Sequence, residues 1–302
     1  MARLVFLGTP DAAVPPLQGL VAAGHEVAMV VTRPDKRRGR GAALVPSPVK
    51  AAATALGLPV TSTLDDALGV DAELGVVVAY GRIIPVAVLD RLPMVNLHFS
   101  LLPRWRGAAP VERAILEGDA ETGVCLMAVE AGLDTGGIYA EEDTVIGEEE
   151  TADELRARLV TMGTRLLVEH LAGGRAGLPQ PRDQVGEPSY AEKIMPAERE
   201  LAWDEPARTV RRQVRIGRAW TSFRGRRLGV VRATAGEPAA GDRAPGLPPD
   251  RPLPGTLVDA EVTAGDGLAV RLVTVQPEGR QPMDVADWLR GARPAPGERL
   301  GV

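Results

Sequence analysis

Through its first half the chain alternates short apolar runs with stretches whose apolar residues return every three or four positions. Arg3 to Gly8, Glu26 to Thr32, Leu74 to Ala79, Met94 to Phe99 and Gly123 to Val129 read as strands. Between them, Asp11 to Ala23, Pro48 to Leu56, Pro85 to Arg91 and Pro110 to Glu117 read as helices, the first two stopped by Gly24 and Gly57. A longer helix follows Thr151, where Thr151 and Glu154 have the spacing of a capping box, and runs to Gly173 and Gly174. Strand and helix in alternation predict an α/β domain, a Rossmann-like mostly parallel sheet flanked by helices.

Beyond that helix the rhythm changes. Pro179, Pro181 and Pro188 punctuate a polar connection, which divides the chain into residues 1–188 and 189–302. A helix capped by Asp204 opens the second part. Short strands follow at Arg227 to Ala233, Gly255 to Val262 and Leu268 to Val275, with a Pro- and Gly-rich excursion from Gly236 to Pro254. This spacing predicts a small C-terminal β-barrel of the OB type.

Composition removes several functions. The 302 residues are long enough for two cores, and no run reaches the roughly 20 apolar residues of a membrane span. The apolar run Met1 to Leu7 is too short for a secretory leader, so a cytoplasmic, monomeric protein without membrane association is expected. One cysteine, Cys125, excludes an internal disulfide, and with three histidines no metal site is expected. The net charge of −5 hides an uneven distribution. Arg208, Arg211, Arg212, Arg215, Arg218, Arg224, Arg226, Arg227 and Arg232 fall in one stretch without an acid, a local footprint for a polyanion.

Gly8, Thr9 and Pro10 after the first strand lack the spacing of a dinucleotide or nucleotide phosphate loop, so attention moves to other strand ends. The most polar is that of Met94 to Phe99. Asn96 and His98 stand two apart and face the same way. An Asn amide can donate to an oxyanion, a His can relay a proton, and Asp134 in the Gly-rich turn 132–137 can orient the imidazole. On spacing alone, structural roles for all three stay open.

The segment Asn96 to Pro110, together with Leu133, Asp134, Thr135, Gly136 and Gly137, resembles the signature of the 10-formyltetrahydrofolate-dependent formyltransferases. The resemblance implies that Asn96, His98 and Asp134 are catalytic, that Ser100, Leu101, Leu102 and Pro103 line the folate site, and that 10-formyltetrahydrofolate is the formyl donor. It covers nearly the whole chain and extends to members whose acceptor is methionyl initiator tRNA. Arg33 to Gly41 is similar to their insertion that meets the acceptor end of tRNA, with Arg40 at the important position beside Arg37 and Arg38. Ser189 to Ile194 and Val275 to Gly279 resemble their RNA-binding C-terminal domain, where Arg211, Arg212 and Arg215 become candidate phosphate contacts. Two departures are Phe99, where a smaller residue or proline is usual, and Ala42 with Ala43, where lysines are common. A relative acting on a small amine and an inactive RNA-binding relative are the competing readings.

Overall fold

The computed structural model describes residues 1–38, 43–236 and 252–302. The chain divides into two compact units. One comprises residues 1–113, 120–146 and 154–193; the other comprises residues 114–119, 147–153 and 194–302.

In the first unit the chain runs β1 (Arg3–Gly8), α1 (Val14–Ala22), β2 (Glu26–Val31), β3 (Lys36–Arg38), β4 (Ala43–Val45), α2 (Pro48–Ala55), β5 (Val60–Thr61), α3 (Leu64–Ala67), β6 (Leu74–Val78), α4 (Val86–Leu89) and β7 (Met94–His98). It continues through β8 (Arg106–Gly107), α5 (Pro110–Glu117), β9 (Glu121–Ala128), β10 (Ile138–Val145), α6 (Ala152–Leu171) and β11 (Tyr190–Ala191), with α5 and α6 each extending into segments assigned to the second unit. A seven-stranded sheet has the order β10-β9-β7-β6-β1-β2-β5. Its β5, β2, β1, β6 and β7 are parallel, as the βα alternation requires, whereas β9 is antiparallel to both β7 and β10. The central strands are apolar on both faces because helices cover both: β6 is buried at every position. Val5, Leu7, Val31, Val77 and Met94 join Val88 and Leu92 in one cluster. A side chain of this kind contributes about 1.5–3 kcal/mol on full burial.

Several elements differ from the sequence reading. The predicted helix from Asp11 begins as a 3-10 turn, Asp11–Ala13, before α1, and the helix near Pro85 is a single turn. The basic loop is a hairpin, with β3 and β4 paired from Lys36 with Val45 to Arg38 with Ala43. Its tip, including Arg40, lies outside the described residues. Strand β10 was hidden from the sequence reading because its outer positions are acidic.

In the second unit, α7 (Ala207–Arg215) precedes β12 (Ala219–Phe223), β13 (Arg226–Ala235), β14 (Leu257–Val258), β15 (Glu261–Thr263), β16 (Ala269–Pro277), β17 (Met283–Asp284) and α8 (Val285–Ala292). The strands form an antiparallel sheet in the order β12-β13-β16-β15-β14, with β17 also on β16. Most of the expected excursion, residues 237–251, lies outside the described residues. Asp204 does not cap α7: the chain enters through Pro206, and the Asp266 carboxylate accepts from the Ala207 N–H at 3.2 Å. Trp203, Val210, Val214, Val230, Leu272, Val275 and Trp288 form the core. The Trp203 indole N–H donates to Thr221 Oγ1 at 2.9 Å, satisfying the polar edge of a buried ring.

Candidate active site

Strand β7 ends beside β9, with Asn96 opposite Met127 and His98 opposite Cys125. Asn96 and His98 therefore project from the same face, while Leu97 between them enters the core on the other. His98 is buried, and its Nε2 lies 2.9 Å from the carbonyl oxygen of Trp105. A carbonyl only accepts, so Nε2 carries the proton and Nδ1 is the basic nitrogen of the neutral ring. Nδ1 faces Asp134 Oδ2 at 3.7 Å, near enough for the carboxylate to stabilise an imidazolium. Asn96 is half-buried.

The Asp134 turn is built by glycines. A Cβ on Gly136 would lie 2.0 Å from the Ala128 carbonyl oxygen, so only glycine lets the turn fold back on the end of β9. Asp134 itself has φ of 50°, the left-handed region that Asp tolerates better than most residues. Its Oδ2 accepts from the Gly107 N–H at 2.8 Å. Gly107 is at φ of 124°, with Ala191 packed where a side chain would be, so β11 seats β8 and β8 in turn holds the carboxylate. The three residues predicted as catalytic thus come together at one strand end.

The folate candidates follow β7 directly. Ser100 is fully buried and its hydroxyl donates to the Arg104 carbonyl at 2.6 Å, while Leu102 packs with Cys125, Met127 and Ile138. The Ser100 hydroxyl is therefore engaged internally. Phe99 is buried. Burial pushes the Cys125 thiol up to about 12, and it accepts from the Leu102 N–H at 3.4 Å, an inert core group.

The basic candidates separate into two kinds. Arg37 is exposed on β3, and Arg38 pairs through its backbone. Within the second unit, Arg211 bridges Glu149 at 2.7 Å and Glu148 at 3.2 Å, Arg212 donates to the Glu117 carbonyl at 3.1 Å, and Arg215 donates to the Glu150 and Gly147 carbonyls at 2.8 Å. Burial lowers the Arg215 pKa, as expected of a guanidinium withdrawn from water. These three arginines are engaged by protein partners within the second unit. The sequence reading saw no acid inside the run; the acids come from a segment some sixty residues earlier. Arg208, Arg218, Arg227 and Arg232 are exposed instead, and the Arg227 guanidinium lies 4.5 Å from the centre of the Trp220 ring.

Two further residues stand beside the site without a role there in the sequence reading. Gln184, in the polar connection after α6, donates to the Asp134 and Gly136 carbonyls, and Ser189 Oγ accepts from the Trp105 N–H at 2.9 Å. Nothing in their spacing or periodicity marks them.

An α/β sheet that gathers an amide, a buried imidazole and a carboxylate near one strand end presents the groups that a group transfer at a carbonyl carbon can use. Residues 2–171 match the family described as Formyl transferase and residues 193–293 match Formyl transferase, C-terminal domain; the chain belongs to this family. It is 46% identical over 308 residues to the methionyl-tRNA formyltransferase of Roseobacter denitrificans, covering 96% of each chain. It is 44% identical over 322 residues to that of Methylobacterium nodulans, covering 99% of each. Among solved structures, the fold is similar to an N-formyltransferase from Helicobacter canadensis in complex with folinic acid and dTDP-3-aminofucose, with TM-score 0.67, 18% identity, and coverage of 92% of this chain and 100% of that one. It is also similar to the methionyl-tRNA formyltransferase of Clostridium thermocellum, with TM-score 0.59, 19% identity, and coverage of 78% and 93%.

Proposed function

We propose that the protein transfers the formyl group of 10-formyltetrahydrofolate to the amino group of methionine carried by initiator tRNA. The observation that carries the chemistry is the convergence of Asn96, His98 and Asp134 at the end of β7. The acceptor is supported by 43–46% identity along nearly the whole chain to proteins named methionyl-tRNA formyltransferase. The likeness to the N-formyltransferase in complex with dTDP-3-aminofucose is one of fold, at 18% sequence identity.

The methionyl nitrogen attacks the formyl carbon, forming the new C–N bond and a tetrahedral intermediate whose oxyanion receives a hydrogen bond from the Asn96 amide. His98, with Nε2–H fixed on the Trp105 carbonyl, takes the amine proton on Nδ1, where the Asp134 carboxylate stabilises the cation. Returning a proton to folate N10 lets the old C–N bond break, and tetrahydrofolate leaves. Ser100 to Pro103 form the folate wall. No metal has a role in these steps.

Residues 1–188 act as the catalytic domain and 189–302 as the tRNA-binding domain of a cytoplasmic monomer. Arg37, Arg38 and Arg40 meet the acceptor end, and the exposed arginines, Arg227 beside Trp220 among them, meet phosphates. The test is formyl transfer from 10-formyltetrahydrofolate to methionyl initiator tRNA, with glycinamide ribonucleotide and a dTDP-amino sugar as competing amines. Transfer to the tRNA alone, lowered about 10²-fold or more in Asn96→Ala while tRNA binding persists, is expected. Transfer only to a small amine overturns the acceptor, and tRNA binding without any transfer overturns the enzyme.

A further inference from the structure

We propose that Gln184 is a positioning residue for the transfer reaction, holding the turn that carries Asp134. The proposal rests on the role given to Asp134 above. All of the hydrogen-bonding capacity of the Gln184 amide is engaged. Its nitrogen donates to the Asp134 carbonyl at 2.8 Å and the Gly136 carbonyl at 2.9 Å, and its oxygen accepts from Arg106 Nη2 at 2.6 Å and Nε at 3.1 Å. The orientation of the amide is therefore fixed by chemistry: two carbonyls require the NH2, and a guanidinium requires the oxygen.

This network reaches the reacting groups from two sides. Asp134 sits at φ of 50°, a left-handed turn position whose backbone is held by the contacts around it. Gln184 holds its carbonyl, and Gly107, the residue after Arg106, holds its carboxylate at 2.8 Å. The same segment of chain forms paired bonds between Arg182 and Ile138 at 2.8 and 2.9 Å, and its Ser189 anchors Trp105, whose carbonyl fixes His98. Gln184 bridges the Asp134 turn to the Arg106 side chain. Loss of its donors frees the Asp134 carbonyl and relaxes the carboxylate relative to Nδ1.

Two variants of similar size separate the contacts. Gln184→Met removes every polar contact, whereas Gln184→Glu keeps an acceptor for Arg106 but sets oxygen against the two carbonyls. Both are expected to lower kcat by about 10- to 100-fold, as an ångström-scale misplacement does, with KM for tRNA and folate and the Tm nearly unchanged. In an Asp134→Asn background, Gln184→Met should cost less than about twofold more, because the two act through one group.

Wild-type kcat in Gln184→Met, with kcat of Asp134→Asn strongly lowered but measurable, overturns the proposal and leaves the site assignment standing. An equal cost in both backgrounds, a parallel loss of Tm, or full rescue by Gln184→Glu makes the residue structural and overturns it too. Full activity of Asp134→Asn overturns the assignment of Asp134, and the proposal with it.

Discussion

Replacing Gly163 with alanine connects packing to catalysis. Gly163 lies within α6, where its missing side chain leaves room for Leu97, and a Cβ there would fall 2.8 Å from Leu97 Cδ2 and 3.0 Å from Cδ1. Ordinary carbon contacts are about 3.5–4.0 Å, so helix and strand must part by something near 1 Å unless the leucine turns aside. Leu97 is 1% exposed, so a turn of its side chain has to displace packed neighbours.

Alanine gains about 1 kcal/mol over glycine in helix propensity, while overpacking a core costs about 1–3 kcal/mol. The balance is a net loss near 1 kcal/mol, or a fall in Tm of about 2–4 °C for a domain of this size. Leu97 lies between Asn96 and His98, so the displacement reaches both. An ångström of misplacement can cost about 10²-fold, and shared relaxation leaves an expected fall in kcat of roughly 3- to 30-fold. Thermal melts and single-turnover formylation measure the two effects. A Tm that rises by about 2–4 °C with unaltered turnover would show propensity acting without a clash and would refute the reasoning.

Other expectations follow from particular contacts. Arg211→Ala should destabilise the second unit by about 1–2 kcal/mol and leave the salt dependence of tRNA binding unchanged, whereas Arg227→Ala should reduce the slope of log affinity against log salt by about one; both are read from melts and binding titrations. The Arg224 guanidinium and the Ala295 N–H lower the Glu298 carboxyl to about 2. A depressed carboxyl stabilises the fold above its unfolded pKa and loses that contribution as pH falls through the folded value. The Tm gap between wild type and Glu298→Gln should therefore be constant above about pH 5 and close towards pH 2. Cys125 should resist a disulfide reagent at pH 8 and react only as denaturant exposes it; rapid labelling of native protein would contradict its burial.

Much of the sheet was legible because its strands are buried on both faces and read as unbroken apolar runs. Arg3 to Gly8 matches β1 from end to end, and Leu74 to Ala79 exceeds β6 by one residue. β10 was missed since Glu141 and Asp143 sit at its edge, and a sheet edge imposes no apolar signal on its outer side. α8 escaped because a glycine near its end and short length weaken the periodicity. The site divides in the same way. Asn96 and His98 share a strand face two residues apart, a relation that any sequence displays. Gln184 meets Asp134 from fifty residues away, and Arg211 meets Glu149 from sixty-two. Such pairings come from topology, and no local pattern carries them.

The pairing of β11 with β8 also orders events in time. Trp105 and Ser189 are 84 residues apart, yet the carbonyl that fixes His98 belongs to that tryptophan. During synthesis the sheet strands from β1 to β10, and all three residues proposed as catalytic, emerge before the segment that secures them. A nascent chain ending at α6 has the reacting groups without the geometry, and closing so long a loop is a late step in folding. Competence arrives when Tyr190 and Ala191 dock, just as the chain passes into its second unit.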